Sequence, residues 1–405
     1  MEQLANLWPQ LSRDPDFDAP ELQAHDSADE LLIETAAAVL EGAAESGGGS
    51  RLAHGGLVVI GDRHGALTLG AAIRLGAHGI RVHQDQLLAE RALAQNAARI
   101  LPSGAAGIAG TASDASTPLY TQHPLGPELL RDARLVLLQL PRSLAELEEI
   151  VDTIARWAHP EVVVLSGGRV KHMVRSMNEV LARGFADVTA GLAVRKARVL
   201  TARLPRSADE LGPPRFPVSG TDPELPFMLA AYGATFGGAT LDHGSRLLLQ
   251  GLREEGWPAA RRVVDLGCGN GSLAVSAALA LPEAEVIATD QSAAAVRATE
   301  LTAANAGPGI AERVRVLRAD GAEAIPDDWA DLILLNPPFH SGSTMHTGVA
   351  HRLIRSAVRA LAPGGELRIV FNSSLAYRSL VERVVGETRQ VSRNRSFTVL
   401  AAARR

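Results

Sequence analysis

The stretch NPPFH (Asn336–His340) brings together residue types that could make a poor nucleophile react. An exocyclic amine on a nucleobase attacks reluctantly, because its lone pair is delocalised into the ring. Two acceptors that take both N–H bonds can hold the nitrogen in a geometry that exposes that lone pair. The Asn336 side-chain oxygen and the Pro337 carbonyl suit this task, and Pro337 and Pro338 stiffen the loop that aims them. Phe339 offers a flat face for an extruded base, and His340 follows it at the same candidate substrate edge. A bare Asn-Pro-Pro is also an ordinary turn, so its meaning depends on its neighbours.

Those neighbours begin with DLGCGNG (Asp265–Gly271), where an aliphatic run turns into a helical one. Gly267 and Gly269 permit tight backbone geometry, so a ligand can approach the peptide groups and the helix N-terminus closely. Nicotinamide dinucleotide sites use a similar turn. Asp265, however, stands just before the glycines, where it would repel a pyrophosphate and attract a cationic sulfonium amino acid. Asp290 ends the next aliphatic run, where a carboxylate can accept both hydroxyls of a ribose. Asp320, in LRADGAE, is placed to accept from an adenine amino group or to cap the following helix. His340, His346 and His351 lack the spacing of a helical zinc pair, so no metal is expected.

The elements that must position these residues occur twice. GGLVVIGDRHGALTLGAAIRL (Gly55–Leu75) parallels RRVVDLGCGNGSLAVSAALAL (Arg261–Leu281), with Gly61 and Gly65 matching Gly267 and Gly271. The next acid, Asp85, is read opposite Asp290. ARLVLLQLPRS (Ala133–Ser143) parallels ADLILLNPPFH (Ala330–His340). Strands alternating with helices predict two tandem α/β domains, each a mainly parallel sheet. The first is expected over 1–205, with an acidic arm over 1–50, followed by a Pro-rich linker over 206–226 and the second domain over 227–405. In the second domain strands are predicted at Arg262–Leu266, Glu285–Thr289, Val314–Arg318, Leu332–Leu335 and Glu366–Phe371, with a terminal hairpin turning at Arg393-Asn394. An N-terminal helix is expected over Ser27–Leu40, then a flexible loop over Glu41–Gly56.

Composition sets the outer bounds. A chain of 405 residues with 46% hydrophobic and 21% charged residues suits two soluble cores. No apolar run is long enough for a membrane span, and the start lacks the basic and apolar segments of a signal peptide. One cysteine, Cys268, excludes an internal disulfide, and a cytoplasmic protein is expected. The net charge of −5 is uneven, because up to Ser50 Arg13 is the only cation among many acids. The remainder is positive, which leaves room for a basic face.

With DLGCGNG, NPPFH, TFGGATLDHGSRLLL (Thr235–Leu249) and APGGELRIVFNSSLAY (Ala362–Tyr377), the second half resembles the class I S-adenosylmethionine-dependent methyltransferases. More narrowly, the chain resembles the bacterial ribosomal RNA guanine-N2 methyltransferases, which carry two such domains, the first degenerate. The resemblance implies S-adenosylmethionine as cofactor, held by Asp265, Gly267, Gly269, Asp290 and Asp320, with Phe236 and Asp242 walling its pocket and Asn336 at its edge. It implies a target guanine held by Asn336, Pro337, Pro338, Phe339 and His340. Gly237-Gly238 replaces the Ser-Arg that family members often carry after the phenylalanine. In the first half Val59, Arg63 and Gln139-Leu140-Pro141-Arg142 stand where Asp265, Gly269 and Asn336–Phe339 stand in the second, so no cofactor is expected there. That half is expected to position RNA, with Arg63, Arg142, Arg169, Lys171, Arg175, Arg195, Lys196 and Arg198 as candidate phosphate contacts. The expected partner is ribosomal RNA in a subunit or assembly intermediate, acted on by a monomer. GGELRIV and the compact tail favour the small-subunit (16S) branch over the large-subunit (23S) branch. The alternatives are methylation of adenine or glutamine amines, a nicotinamide-dependent oxidoreductase, and a non-catalytic RNA-binding factor.

Overall fold

Two seven-stranded sheets account for the alternation of aliphatic and helical stretches. In the computed structural model, which describes residues 2–16, 22–45, 56–101, 118–338 and 344–405, the chain divides into the compact units Met1–Arg215 and Phe216–Arg405. The first unit contains β1 (Leu57–Ile60), β2 (Ile80–His83), β3 (Tyr120–Gln122), β4 (Leu135–Gln139), β5 (Val163–Arg169), β6 (Phe185–Ala190) and β7 (Ala197–Pro205). The second opens with a small hairpin, β8 (Val218–Gly220) and β9 (Leu229–Ala231). Its main sheet contains β10 (Arg262–Leu266), β11 (Glu285–Asp290), β12 (Val314–Arg318), β13 (Ala330–Leu335), β14 (Leu361–Asn372), β15 (Thr388–Arg393) and β16 (Phe397–Ala403). The sheet orders are β3-β2-β1-β4-β5-β7-β6 and β12-β11-β10-β13-β14-β16-β15. In each, the last hairpin is antiparallel to a parallel body, as the sequence predicts for the second unit.

Parallel strands covered on both faces read as unbroken aliphatic runs. In β13, Leu332 and Leu334 enter one core with Leu248, Leu249 and Leu273, while Ile333 and Leu335 enter the other with Ile354 and Leu380. Each leucine so buried contributes about 1.5–3 kcal/mol. The helix Ser272–Ala280 is built of small and aliphatic residues, and its first seven side chains are buried, so it lies close against the sheet.

Several local expectations are corrected. The N-terminal helix spans Ser27–Glu45, with Leu32, Ile33, Ala36 and Ala37 buried on one side of it, and residues 46–55 lie outside the described ones. The segment 206–226 is not a bare linker: it holds a short helix, Ala208–Leu211, with a capping box between Ser207 and Glu210, then β8. Pro363–Gly365 lies within β14, where the pairing with β13 shifts register. The register also corrects the match of Asp85 with Asp290. Val59 pairs with Val82 as Asp265 pairs with Ala288, so the residue two places on is Gln84, not Asp85.

Candidate active site

The C-terminal ends of β10, β11 and β13 bring the second unit's predicted residues together, because these strands are adjacent and parallel. Asp265 is fully buried and accepts the Ala274 N–H at 2.9 Å, which ties the strand to the first turn of the helix after it. Its other oxygen, Oδ1, has no partner among the described residues. Burial is the main cause that pushes its carboxyl up to about 7, the Ala274 bond opposes this, and the charge of Asp290 adds to it. Asp290 accepts the Gly269 N–H at 3.0 Å and the Ser292 N–H at 2.9 Å, so it braces the glycine loop from the neighbouring strand.

The three glycines of the loop all lie at positive φ, but for different ends. Gly267 (φ 83°) and Gly269 (φ 56°) face open space: a Cβ on either would meet nothing within 4 Å. Gly271 is packed, since a Cβ there would lie 2.9 Å from Thr299 Cγ2 and 3.0 Å from its Cα. The first two thus leave room for a ligand, and the third lets two helices approach. Cys268 is buried, its thiol raised by burial and by the charges of Asp290 and Asp265, and it accepts from Thr299 Oγ1 at 3.2 Å.

Asn336 follows β13, with Pro337 buried behind it and Pro338 exposed. Its Nδ2 donates to Asp242 Oδ2 at 2.5 Å and to Ser245 Oγ at 3.0 Å. Its Oδ1 has no partner among the described residues. Asp242 is the N-cap of the helix His243–Glu255, accepting from the Gly244 and Ser245 N–H groups. Phe236 is 59% exposed, as a wall of an open site would be. Gly237 and Gly238, in place of Ser-Arg, both have positive φ, and Asn270 holds the loop by donating to the Gly238 and Thr240 carbonyls. Asp320 stands at the turn after β12, where its N–H donates to Glu323, and its carboxylate pairs with Arg352 at 3.3 Å. Phe339 and His340 lie outside the described residues. The ring of His351 meets Tyr377 edge-on at 5.6 Å, and no cluster of metal-binding side chains occurs among the described residues.

Sequence reasoning missed Ser245, Asn270 and Thr299. The LDHGS stretch carries a helix-start signal, but nothing in it announces a bond to a residue more than ninety positions on. Asp62 was missed in the first unit. There Val59 replaces the strand carboxylate, and Asp62, from the loop, accepts the Gly65, Leu67 and Thr68 N–H groups instead. Gln139, at the Asn336 position, donates to Asp29 Oδ1 at 3.1 Å. Arg63 is exposed, and its charge bears on Asp29 and Glu146.

The unpartnered Asp265 oxygen, the open glycines and the braced Asp290 fit a cationic amino acid joined to a ribose, as in S-adenosylmethionine. Comparisons with known proteins point to the same cofactor. Residues 227–401 match the Methyltransferase small domain family and residues 2–206 match the RLMG N-terminal domain family. The "Ribosomal RNA large subunit methyltransferase G" of Streptomyces avermitilis is 33% identical, covering 98% of this chain and 97% of the relative. That of Pseudomonas syringae pv. tomato is 35% identical over 97% and 96%. The solved T. thermophilus 16S rRNA N2 methyltransferase, in complex with AdoMet and guanosine, superimposes with a TM-score of 0.72 at 20% identity, over 98% of this chain and 100% of that one. That likeness supports two tandem class I domains but, at this identity, carries the fold alone. The relatives at higher identity carry the large-subunit name, which corrects the leaning towards the small-subunit branch and removes the nicotinamide alternative. The chain is an S-adenosylmethionine-dependent methyltransferase and belongs to the ribosomal RNA large subunit methyltransferase G family.

Proposed function

We propose that the protein methylates the exocyclic N2 amine of a guanine in large-subunit ribosomal RNA. The observation that carries this reading is the buried, unpartnered Asn336 Oδ1 at the C-terminal end of β13, beside the glycine loop. S-adenosylmethionine supplies an electrophilic methyl group on a cationic sulfur. Asp265 holds the positive amino-acid end, Gly267 and Gly269 give it backbone room, Asp290 takes the ribose hydroxyls, and Asp320 faces the adenine. Phe236 and Asp242 border the pocket. Asn336 Oδ1 and the Pro337 carbonyl each accept one N–H of the guanine amine, which directs the nitrogen lone pair at the methyl group. As the nitrogen–carbon bond forms, the methyl–sulfur bond would break with its electron pair going to sulfur, which leaves as a neutral thioether, and the amine gives up one proton to solvent. Pro338, Phe339 and His340 would meet the flipped base.

The first unit serves to hold RNA in this reading. Its sheet edge carries the exposed Arg142, Lys171, Arg175 and Lys196 with the half-buried Arg169 and Arg198. Burial and then the charges of Lys171, Arg142 and Arg169 push the His172 imidazole down, which marks these cations as close neighbours. Arg195 is engaged with Glu30 at 2.9 Å and is the weakest phosphate candidate. The protein is proposed to work in the cytoplasm as a monomer on a subunit or assembly intermediate.

Mass spectrometry of nucleosides from separated 23S and 16S RNA of a strain lacking the gene tests the proposal. Loss of N2-methylguanosine from 23S RNA alone is expected, with restoration by the wild-type gene and not by Asn336→Ala. An unchanged profile in both RNAs would sink it.

A further inference from the structure

We infer that Asp242 and Ser245 are positioning residues that set which end of the Asn336 carboxamide faces the substrate amine. The inference rests on the proposed amine chemistry and adds a specific division of labour to it. A carboxamide is nearly symmetric in shape, so its oxygen and nitrogen can exchange places by a half-turn. Only one orientation is productive, because an NH2 presented to another NH2 offers two donors and no acceptor.

The surroundings select that orientation. Both Nδ2 hydrogens are engaged, one by the Asp242 carboxylate at 2.5 Å and one by the Ser245 hydroxyl at 3.0 Å. The carboxylate is itself immobilised, since Oδ1 accepts the Gly244 N–H at 3.1 Å and Oδ2 the Ser245 N–H at 2.9 Å. Turning the amide over would face its oxygen against a carboxylate and forfeit a charge-assisted bond, while the Ser245 hydroxyl, which can donate or accept, holds the amide in the orientation the carboxylate selects. Such a loss corresponds to a preference on the order of a hundredfold. Gly244 completes the arrangement: a Cβ there would lie 3.0 Å from Asn336 Oδ1, so any larger residue would crowd the oxygen that must stay open. The helix start His243–Glu255 therefore acts on the strand-end amide as a clamp, not only as pocket wall.

The first unit keeps the same polarity without the rest of the motif. Gln139 Nε2 donates to the buried Asp29, and its Oε1 has no partner among the described residues. The amide–carboxylate pair thus survives where Pro337 and Phe339 have become Leu140 and Arg142, and a purely structural role must be tested against the positioning one.

The test is a double-mutant cycle on the full-length protein with ribosomal RNA as substrate. Asp242→Asn can still cap the helix through its oxygen, so folding is preserved. It is expected to lower kcat about 30- to 300-fold, with the S-adenosylmethionine Kd, measured by calorimetry, within threefold of wild type. Ser245→Ala, which loses the neutral bond only, is expected to lower kcat about three- to tenfold. In an Asn336→Ala background, Asp242→Asn should change the residual rate less than twofold, because a positioning residue acts only through what it positions. Additive losses in the cycle, or a kcat unchanged in Asp242→Asn, would overturn the inference. A cofactor Kd that rises in step with the lost activity would instead make Asp242 a cofactor wall, and would also overturn it. Failure of the amine chemistry itself reads differently, as an Asn336→Ala protein that methylates at the wild-type rate.

Discussion

Replacing Asp265 by asparagine should make the ligand-free protein more stable at alkaline pH while weakening its hold on S-adenosylmethionine. Asp265 is fully buried and its carboxyl is raised from the ordinary 3.8 to about 7, chiefly by burial. In the unfolded chain the same group releases its proton near pH 4. Between about pH 4 and pH 7 the folded chain keeps a proton that the unfolded chain has lost, so stability falls as pH rises through that window. Above about pH 7 the loss is complete and amounts to roughly 4 kcal/mol, at about 1.4 kcal/mol for each pH unit of the rise. Asparagine retains an oxygen for the Ala274 N–H but buries an NH2 where Asp265 Oδ1 has no partner, at a cost of about 1–3 kcal/mol. The variant should therefore exceed wild type by about 1–3 kcal/mol at pH 8, and the advantage should vanish by about pH 4.5. Cofactor binding should move the other way. Loss of a charge-assisted bond worth about 1.5–3 kcal/mol weakens the complex about 10- to 150-fold. Urea denaturation at the two pH values and calorimetry with S-adenosylmethionine give both numbers. A variant that binds the cofactor like wild type, or that gains no stability at pH 8, would refute the account of Asp265 as a strained, ligand-seeking carboxylate.

Three further substitutions test local contacts. Gly271→Ala should cost more than Gly269→Ala: both bear the roughly 1–2 kcal/mol of a left-handed backbone, but only position 271 adds a collision with Thr299. Equal melting temperatures for the two would contradict that packing. Asp62→Ala removes the acceptor for three backbone N–H groups at the start of the helix Ala66–Leu75 and should destabilise the first unit by about 2–4 kcal/mol. Amide hydrogen exchange should show the loss in β1, β2 and that helix, with β10 and β13 unaffected; uniform loss through both sheets would count against it.

Much of the scaffold was legible in the chain because the relevant forces are local. Aliphatic runs of four to six residues, bounded by glycine or proline, have one stable use in a buried parallel sheet, and β10 and β12 begin and end where their side-chain pattern does. The helix Ser272–Ala280 likewise follows from its residues. Placing Asp265, Asp290 and Asn336 at one edge also needed only the order of strands, since residues that end adjacent parallel strands must meet. The segment 206–226 misled because its prolines and turn residues suggest a linker, while β8 is made by pairing with a strand further on, which composition does not record.

What the sequence could not state is which partners long-range packing supplies. Asp85 looked like the counterpart of Asp290 because spacing was counted along the chain, whereas strand register counts across it and puts Gln84 there. The replacement of Asp265 by Val59 looked like simple loss, yet Asp62 serves the Thr68 N–H that corresponds to the Ala274 N–H held by Asp265. The motif Asn-Pro-Pro determined that an amide would stand at the strand end. Only the fold decided which of its two atoms is free, because that depends on a carboxylate and a hydroxyl brought from a distant helix start, and the direction of a hydrogen bond is set by whatever stands opposite.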